Sequence, residues 1–287
     1  MNMNLEHAEQ IVINLWSEDA RAWRRYWAPI FRRFAEDLVS DSGLSQDQLV
    51  LDIGTGTGVA AFEAARRVKS GGFVFGIDRL ESMLAAARVE PETRSLRNVR
   101  FFLMDAQKLL FPSQIFDMIV SNCGISPVGF HQTVEEAYRV LRNGGTFAYS
   151  DWRLKDVPAH RIFSETLQKY RTKNPSRKLS LERTALAILE RFGNREVNFD
   201  EQVRELRLVG FKRTEVKTRN YRIALNGIQR YLDIRFKRAT LKQELRELSA
   251  KKRRDLHHAL RDELAQFVRD ERFLFEWKVI FVKAKKT

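Results

Sequence analysis

Nine residues, Val50-Leu51-Asp52-Ile53-Gly54-Thr55-Gly56-Thr57-Gly58, constrain this chain more than any others. They join an apolar strand, beginning at Leu49, to a turn built on Gly54, Gly56 and Gly58. Glycine is the residue for positive φ angles and for main chain that must lie against a ligand with no Cβ in the way. Val59-Ala60-Ala61-Phe62-Glu63-Ala64-Ala65-Arg66-Arg67 follows at once, alanine-rich and free of breakers, and predicts a helix. The unit is strand, glycine turn, helix, and the start of that helix is a natural place for a polar or anionic ligand group.

The residues around the glycines decide which ligand. Read strictly, the dinucleotide pattern G-x-G-x-x-G fails from Gly54, where Val59 takes the last place, and passes only loosely from Gly56, with Ala61 there. Asp52 stands two residues before the first glycine. A carboxylate there would repel a pyrophosphate and favour a cationic ligand end. S-adenosylmethionine has such an end, an ammonium beside a sulfonium. The run from Gly72 to Asp78 predicts a second strand closing on an acid that can accept both hydroxyls of a ribose. Phe101 to Ala106 predicts a third, whose Asp105 can accept from an exocyclic adenine amine. Strands at Phe116–Asn122 and Gly145–Asp151 complete a βαβαβ pattern with a parallel sheet. Each acid also has a plainer reading: Asp52 shapes the turn through the loop amides, Asp78 is a strand-end acid, and Asp105 caps the next turn.

With these residues in view, the chain resembles the class I S-adenosylmethionine-dependent methyltransferases, in the branch of the ubiquinone- and menaquinone-biosynthesis enzymes and related small-molecule methyltransferases. The likeness covers roughly residues 45 to 153 and is carried by Val50–Gly58, Gly76-Ile77-Asp78, Met83–Arg88, Asp105-Ala106-Gln107, Phe116-Asp117 and Glu136–Gly145. The last segment follows E-x-x-R-V-L-(R/K)-P-G-G, with Asn143 in place of the proline. The resemblance implies a Rossmann-like α/β fold: a seven-stranded, mostly parallel sheet flanked by helices, its last strand antiparallel, with helical cap insertions. It also implies S-adenosylmethionine as cofactor. Asp52 and the backbone of Gly54 and Gly56 would hold the methionine moiety, Asp78 the ribose, and Asp105 with Ala106 the adenine. Thr55, Gly58, Arg79 and Met83 would complete the binding motifs, and Ser121 and Asn122 would face the sulfonium and the acceptor. Tyr26, in the aromatic segment Trp23–Trp27, would close over the methionine carboxylate.

Methyl transfer is a displacement at an already activated carbon, so a general base is needed only when the acceptor must lose a proton early. His131, in the loop after the fourth strand, is the candidate, with a helix-start histidine of no chemical part as its rival; His160 is the second choice. The segment Ser121-Asn122-Cys123-Gly124 lacks the (N/D)-P-P-(Y/F) pattern of exocyclic base-amine methylation and the Pro-Cys setting of cytosine C5 methylation. A buried structural thiol is the better reading of Cys123. The acceptor expected is therefore a small, apolar or aromatic molecule.

The lone cysteine excludes an internal disulfide and a cysteine-based zinc cluster, and with no signal sequence or transmembrane-length apolar run the expectation is a cytoplasmic protein without a metal centre. The expected organisation is N-terminal helices over 1–44, a cofactor core over 45–153, and a helical cap insertion over 154–198. Completion of the sheet is expected over 199–224 and 272–287, with a basic helical insertion over 225–271. Residues 210–287 hold 22 Lys+Arg against 10 Asp+Glu, so most of the +14 net charge lies in the last quarter. Lys251-Lys252-Arg253-Arg254 opens an amphipathic helix there, which reads either as a solvated face or as an RNA or membrane contact. An RNA methyltransferase or RNA-binding protein is thus the alternative function, and a non-catalytic scaffold a third. The sequence leaves the acceptor and the oligomeric state open.

Overall fold

The computed structural model describes residues 3–152, 157–196 and 199–287. The boundaries expected at 153/154 and at 198 fall outside the described residues. The described residues form two compact units. One comprises Trp23–Asp151, Glu190–Thr218 and Ile280–Thr287, and the other Met1–Ala22, Trp152–Leu189 and Arg219–Val279.

The strands are β1 (Leu49–Ile53), β2 (Phe73–Asp78), β3 (Val99–Leu103), β4 (Phe116–Asn122), β5 (Leu141–Trp152), β6 (Lys212–Asn226), β7 (Val268–Arg269) and β8 (Arg272–Lys285). Their order is β3-β2-β1-β4-β5-β8-β6, with β7 paired to β8 off this path. The expected seven strands are present on the path, and the eighth arises because β7, a two-residue strand, folds back antiparallel on β8. The pairs β1/β2, β1/β4, β2/β3 and β4/β5 are parallel. β8 runs against β5, and just past the end of β8 the Gly144 N–H donates to the Lys286 carbonyl at 2.8 Å while the Lys286 N–H donates to the Gly145 carbonyl at 3.0 Å. Both faces of β4 are covered, and six of its seven residues are buried, Asp117 and Ser121 among them.

Within the first unit, α3 (Val59–Val68) buries its alanine face, Ala60, Ala61, Ala64 and Ala65, which lets a helix lie close to the sheet. α6 (Phe130–Val140) buries Val134, Ala137 and Val140 in the same core as Leu51, Ile119, Phe147 and Phe211. Two of the sequence signatures resolve into braces. Glu136 accepts from the Leu109 N–H at 2.7 Å and from Arg139 at 2.7 and 2.8 Å, and Arg139 in turn donates to the carbonyls of Leu109 and Phe111. The pair thereby pins the loop that follows β3. Asp117 accepts from the Leu49 N–H at 2.6 Å, tying the start of β1 to β4, and contacts Arg142.

The second unit is largely helical. α7 (Pro158–Tyr170) and α12 (Ala250–Leu264) pack together, and Leu256, Leu260 and Leu264 form a buried stripe. α1 (Leu5–Ala22) packs against α11 (Ala239–Arg246), where buried Asp19 accepts from the Ala239 N–H and from Arg238. The expected helical insertion ends early, because Val268–Arg269 turns into a strand. Lys251, Lys252, Arg253 and Arg254 are exposed in the first turns of α12.

Replacing Arg139 by Met should strand the Glu136 carboxylate and free two loop carbonyls. The expected loss is about 1–3 kcal/mol of stability, read as a lower urea midpoint at unchanged slope. A midpoint equal to that of the unaltered chain would show that the brace carries no stability.

Candidate functional site

Parallel strands share a direction, so the carboxyl ends of β1, β2, β3 and β4 meet at one end of the sheet, and the order reverses between β1 and β4. Open α/β sheets bind ligands at that position. The turn after β1 lies there. Gly56 adopts φ +54°, and a Cβ built on it would meet nothing within 4 Å, so its face is open where a ligand backbone group can approach. Gly58, at φ +87°, caps α3. The turn is tied to the end of β2, by the Thr55 N–H donating to the Ile77 carbonyl at 2.8 Å and the Gly56 N–H donating to Asp78 Oδ2 at 2.8 Å.

Asp78 is half-buried at the end of β2. Its second oxygen accepts from the Leu80 N–H at 2.9 Å, so each carboxylate oxygen takes one backbone donor and keeps a lone pair in hand. Burial raises its pKa, opposed by those two hydrogen bonds and by the neighbouring Arg79.

Asp52 is placed differently from the ligand-holding position expected of it. It is 0% exposed, and its Oδ2 accepts from the Thr55 hydroxyl at 2.6 Å. Its Oδ1 is sealed from solvent without a hydrogen bond of ordinary geometry, although the Ala61 N–H faces the carboxylate closely enough to oppose the rise in its pKa. Burial pushes that pKa up to about 7. The carboxylate therefore braces the turn from its buried side. Thr55 serves the same brace, and Thr57 is buried beside it.

Asp105 lies two residues past β3 instead of at its end, exposed, with Oδ1 accepting from the Gln107 N–H at 2.9 Å in an Asx turn; its Oδ2 side remains open. Ala106 is half-buried next to it, and Met83 is buried on α4 (Glu81–Arg88). Tyr26 is buried in a π-helical turn, Trp23–Trp27, between α1 and α2 (Ala28–Ser42), with the Arg25 guanidinium 5.5 Å from its ring. Such wide turns recur at functional sites.

Ser121 is also placed away from its expected role. It is fully buried and its hydroxyl donates to the Ile53 carbonyl at 2.7 Å, joining β4 to β1 instead of facing a ligand. Asn122 is half-buried, donating to the Phe31 carbonyl at 3.1 Å and accepting from Ser150 at 2.8 Å. Cys123 has the character of a structural thiol, since burial pushes its pKa up.

His131 sits at the start of α6, 48% exposed, with Nδ1 2.7 Å from Glu205 and Nε2 3.5 Å from Glu135. Carboxylates thus face both ring nitrogens of the residue expected as general base. His160 is buried among Tyr231, Phe275 and Trp277 in the helical unit. Sequence reasoning missed Gly124: a Cβ on it would lie 2.6 Å from the Gly54 carbonyl oxygen, and one on Gly54 would lie 2.3 Å from the Gly124 carbonyl oxygen. No glycine spacing signals it, because the contact joins two loops distant in sequence.

Residues 44–205 match a family described as a methyltransferase domain. Aklanonic acid methyltransferase DauC of Streptomyces sp. (strain C5) is 33% identical over 114 residues, 40% of this chain and 52% of that protein. Demethylmenaquinone methyltransferase of Listeria welshimeri serovar 6b is 33% identical over 110 residues, 38% of this chain and 47% of that protein. The chain thus spans about half the length of the curated relatives it matches. Among solved structures, Haemonchus contortus phosphoethanolamine N-methyltransferase 2 in complex with S-adenosyl-L-methionine aligns with a TM-score of 0.52 at 18% identity, covering 95% of this chain and 56% of that one. That likeness is one of fold. Among the described residues, no helix is long and apolar enough to cross a membrane.

The buried Asp52 predicts a specific pH response. An acid whose pKa rises on folding opposes folding progressively as pH climbs from its unfolded value to its folded one. Asp52→Asn keeps an acceptor for Thr55 and removes that cost. The melting temperature of the variant, relative to the unaltered chain, should climb between about pH 4 and pH 7 and level off above. Across that window the difference should grow by about 4 kcal/mol, about three pKa units at roughly 1.4 kcal/mol each. A difference that does not vary with pH would place Asp52 in another environment.

Proposed function

The chain belongs to the methyltransferase-domain family, and on that premise we propose that it is an S-adenosylmethionine-dependent methyltransferase acting on O, N or C of a small, apolar or aromatic acceptor. The observation that carries this reading is the meeting, at one end of the sheet, of an open-faced glycine turn with a half-buried carboxylate whose oxygens each retain a lone pair. The fit to the cofactor is chemical. Gly56 leaves the space that a side chain would fill, and a carboxylate fixed by two backbone donors suits a diol.

The backbone of Gly54 and Gly56 would hold the methionine part, Asp78 the ribose hydroxyls, and Asp105 with Ala106 the adenine. Met83 and Arg79 would flank the nucleoside, and Tyr26 and Asn122 would lie toward the reacting end. When bound, S-adenosylmethionine supplies a methyl group already activated by a sulfonium, which an acceptor takes by in-line displacement. The protein's part is alignment and exclusion of water. Asp52, Thr55 and Ser121 serve that alignment from below by fixing the turn and the strand beside it. His131 has no part in proton transfer in this scheme.

A small-molecule acceptor is in keeping with relatives such as the aklanonic acid and demethylmenaquinone enzymes. Cytoplasmic residence belongs to the same reading, resting on a chain with one cysteine. The RNA alternative has charge alone behind it and is not proposed.

Calorimetric titration tests the reading. The unaltered chain should bind S-adenosylmethionine and its demethylated product, and Asp78→Ala should weaken both by about a hundredfold, the effect of two charge-assisted hydrogen bonds. Absence of binding to the unaltered chain overturns the proposal. His131→Ala should leave the methyl-transfer rate within about threefold, whereas a loss of a hundredfold or more would restore it as a general base.

A further inference from the structure

The turn that ends β4 is held in an uncommon conformation. Cys123 has φ +55°, a left-handed backbone that a residue with a Cβ adopts at a cost. Ser150 of β5, 3% exposed, surrounds this turn with hydrogen bonds. Its hydroxyl donates to Asn122 Oδ1 at 2.8 Å and accepts from the Cys123 N–H at 3.1 Å, while its carbonyl accepts from the same N–H at 3.1 Å. Cys123 Sγ lies 3.4 Å from the same hydroxyl oxygen. Asn122 is fixed at its other end by its bond to the Phe31 carbonyl.

The outcome of that conformation is the placement of the next residue. Gly124 lies with its backbone against the backbone of Gly54, so closely that a Cβ on either residue would fall 2.3–2.7 Å from main-chain atoms of the other. A flexible side chain could yield to such a clash, but two main chains cannot. The Gly124 peptide is therefore a wall that determines where the Gly54–Gly56 turn runs.

We propose that Ser150 is a positioning residue for the cofactor turn, holding Asn122 and Cys123 so that the Gly124 backbone fixes the place of Gly54. This inference rests on the reading of that turn as the cofactor site. Ser150 touches no reacting atom in this scheme; it acts through three residues in series. It also makes the end of β4, which would face the acceptor, mechanically continuous with the turn that would hold the cofactor.

Calorimetric titration of S-adenosylmethionine into four forms tests it: the unaltered chain, Ser150→Ala, Cys123→Gly, and the double variant. Ser150→Ala should weaken binding roughly tenfold. Cys123→Gly alone should bind normally, because glycine takes the left-handed backbone without strain. The double variant should recover most of the affinity, since a glycine at 123 no longer needs to be held. A merely structural Ser150 would lower the melting temperature of Ser150→Ala and leave its affinity within about twofold of the unaltered chain; that result, or a double variant no better than Ser150→Ala, overturns the proposal. Should Ser150→Ala fail to fold, normal binding by a folded Gly124→Ala, or loss of binding by Cys123→Gly, overturns it equally. Failure of the unaltered chain to bind counts against the cofactor reading itself and is thereby distinguished.

Discussion

The hydrogen bond from Thr55 to the buried Asp52 carboxylate is the interaction on which the candidate site depends. A carboxylate with no solvent exposure costs free energy that fixed donors offset, and here the Thr55 hydroxyl at 2.6 Å is such a donor. That hydroxyl belongs to the turn itself, so ordering the turn and satisfying the acid are one event. The neighbouring acid, Asp78, takes its donors from the same turn and from the residue that opens the next helix. Two carboxylates, one dry and one half-buried, thereby organise a loop whose outward surface is main chain.

The sequence and the structure agree best where residue type is dictated by backbone geometry. The strand–glycine–helix unit, the parallel strand sequence through β5 and the closing antiparallel strand were legible because glycines, apolar runs and strand-end acids each have few physical uses. The family match over residues 44–205 and the fold-level likeness agree with that reading. What escaped was direction. Composition shows that an acid stands at position 52, yet whether it points up at a ligand or down at Thr55 depends on the pleat and the path of the turn. The same holds for Ser121, whose hydroxyl turns to the Ile53 carbonyl, and for His131, claimed by Glu205, a residue 74 positions away. Contacts between distant loops, such as Gly54 with Gly124, leave no local pattern at all.

The charge of the chain divides between two kinds of use. Some cations are structural, such as Arg139 under the loop after β3, Arg238 on buried Asp19, and Lys286, which donates to the carbonyls of Tyr138 and Leu141. Others, in the first turns of α12, stand exposed where a helix dipole disfavours positive charge. Net charge therefore describes this protein poorly, because the cations that hold it together and those that face water are counted alike.

The Glu136–Arg139 brace carries a consequence for how chains of this kind are recognised. Its residues open a signature by which such sequences are identified, yet both spend their hydrogen bonds on the loop from Leu109 to Phe111 and on each other. A signature of this sort is a mark of architecture. It would persist in a descendant that had exchanged its substrate, or ceased to catalyse, for as long as the loop beneath the sheet's third strand still needed tethering.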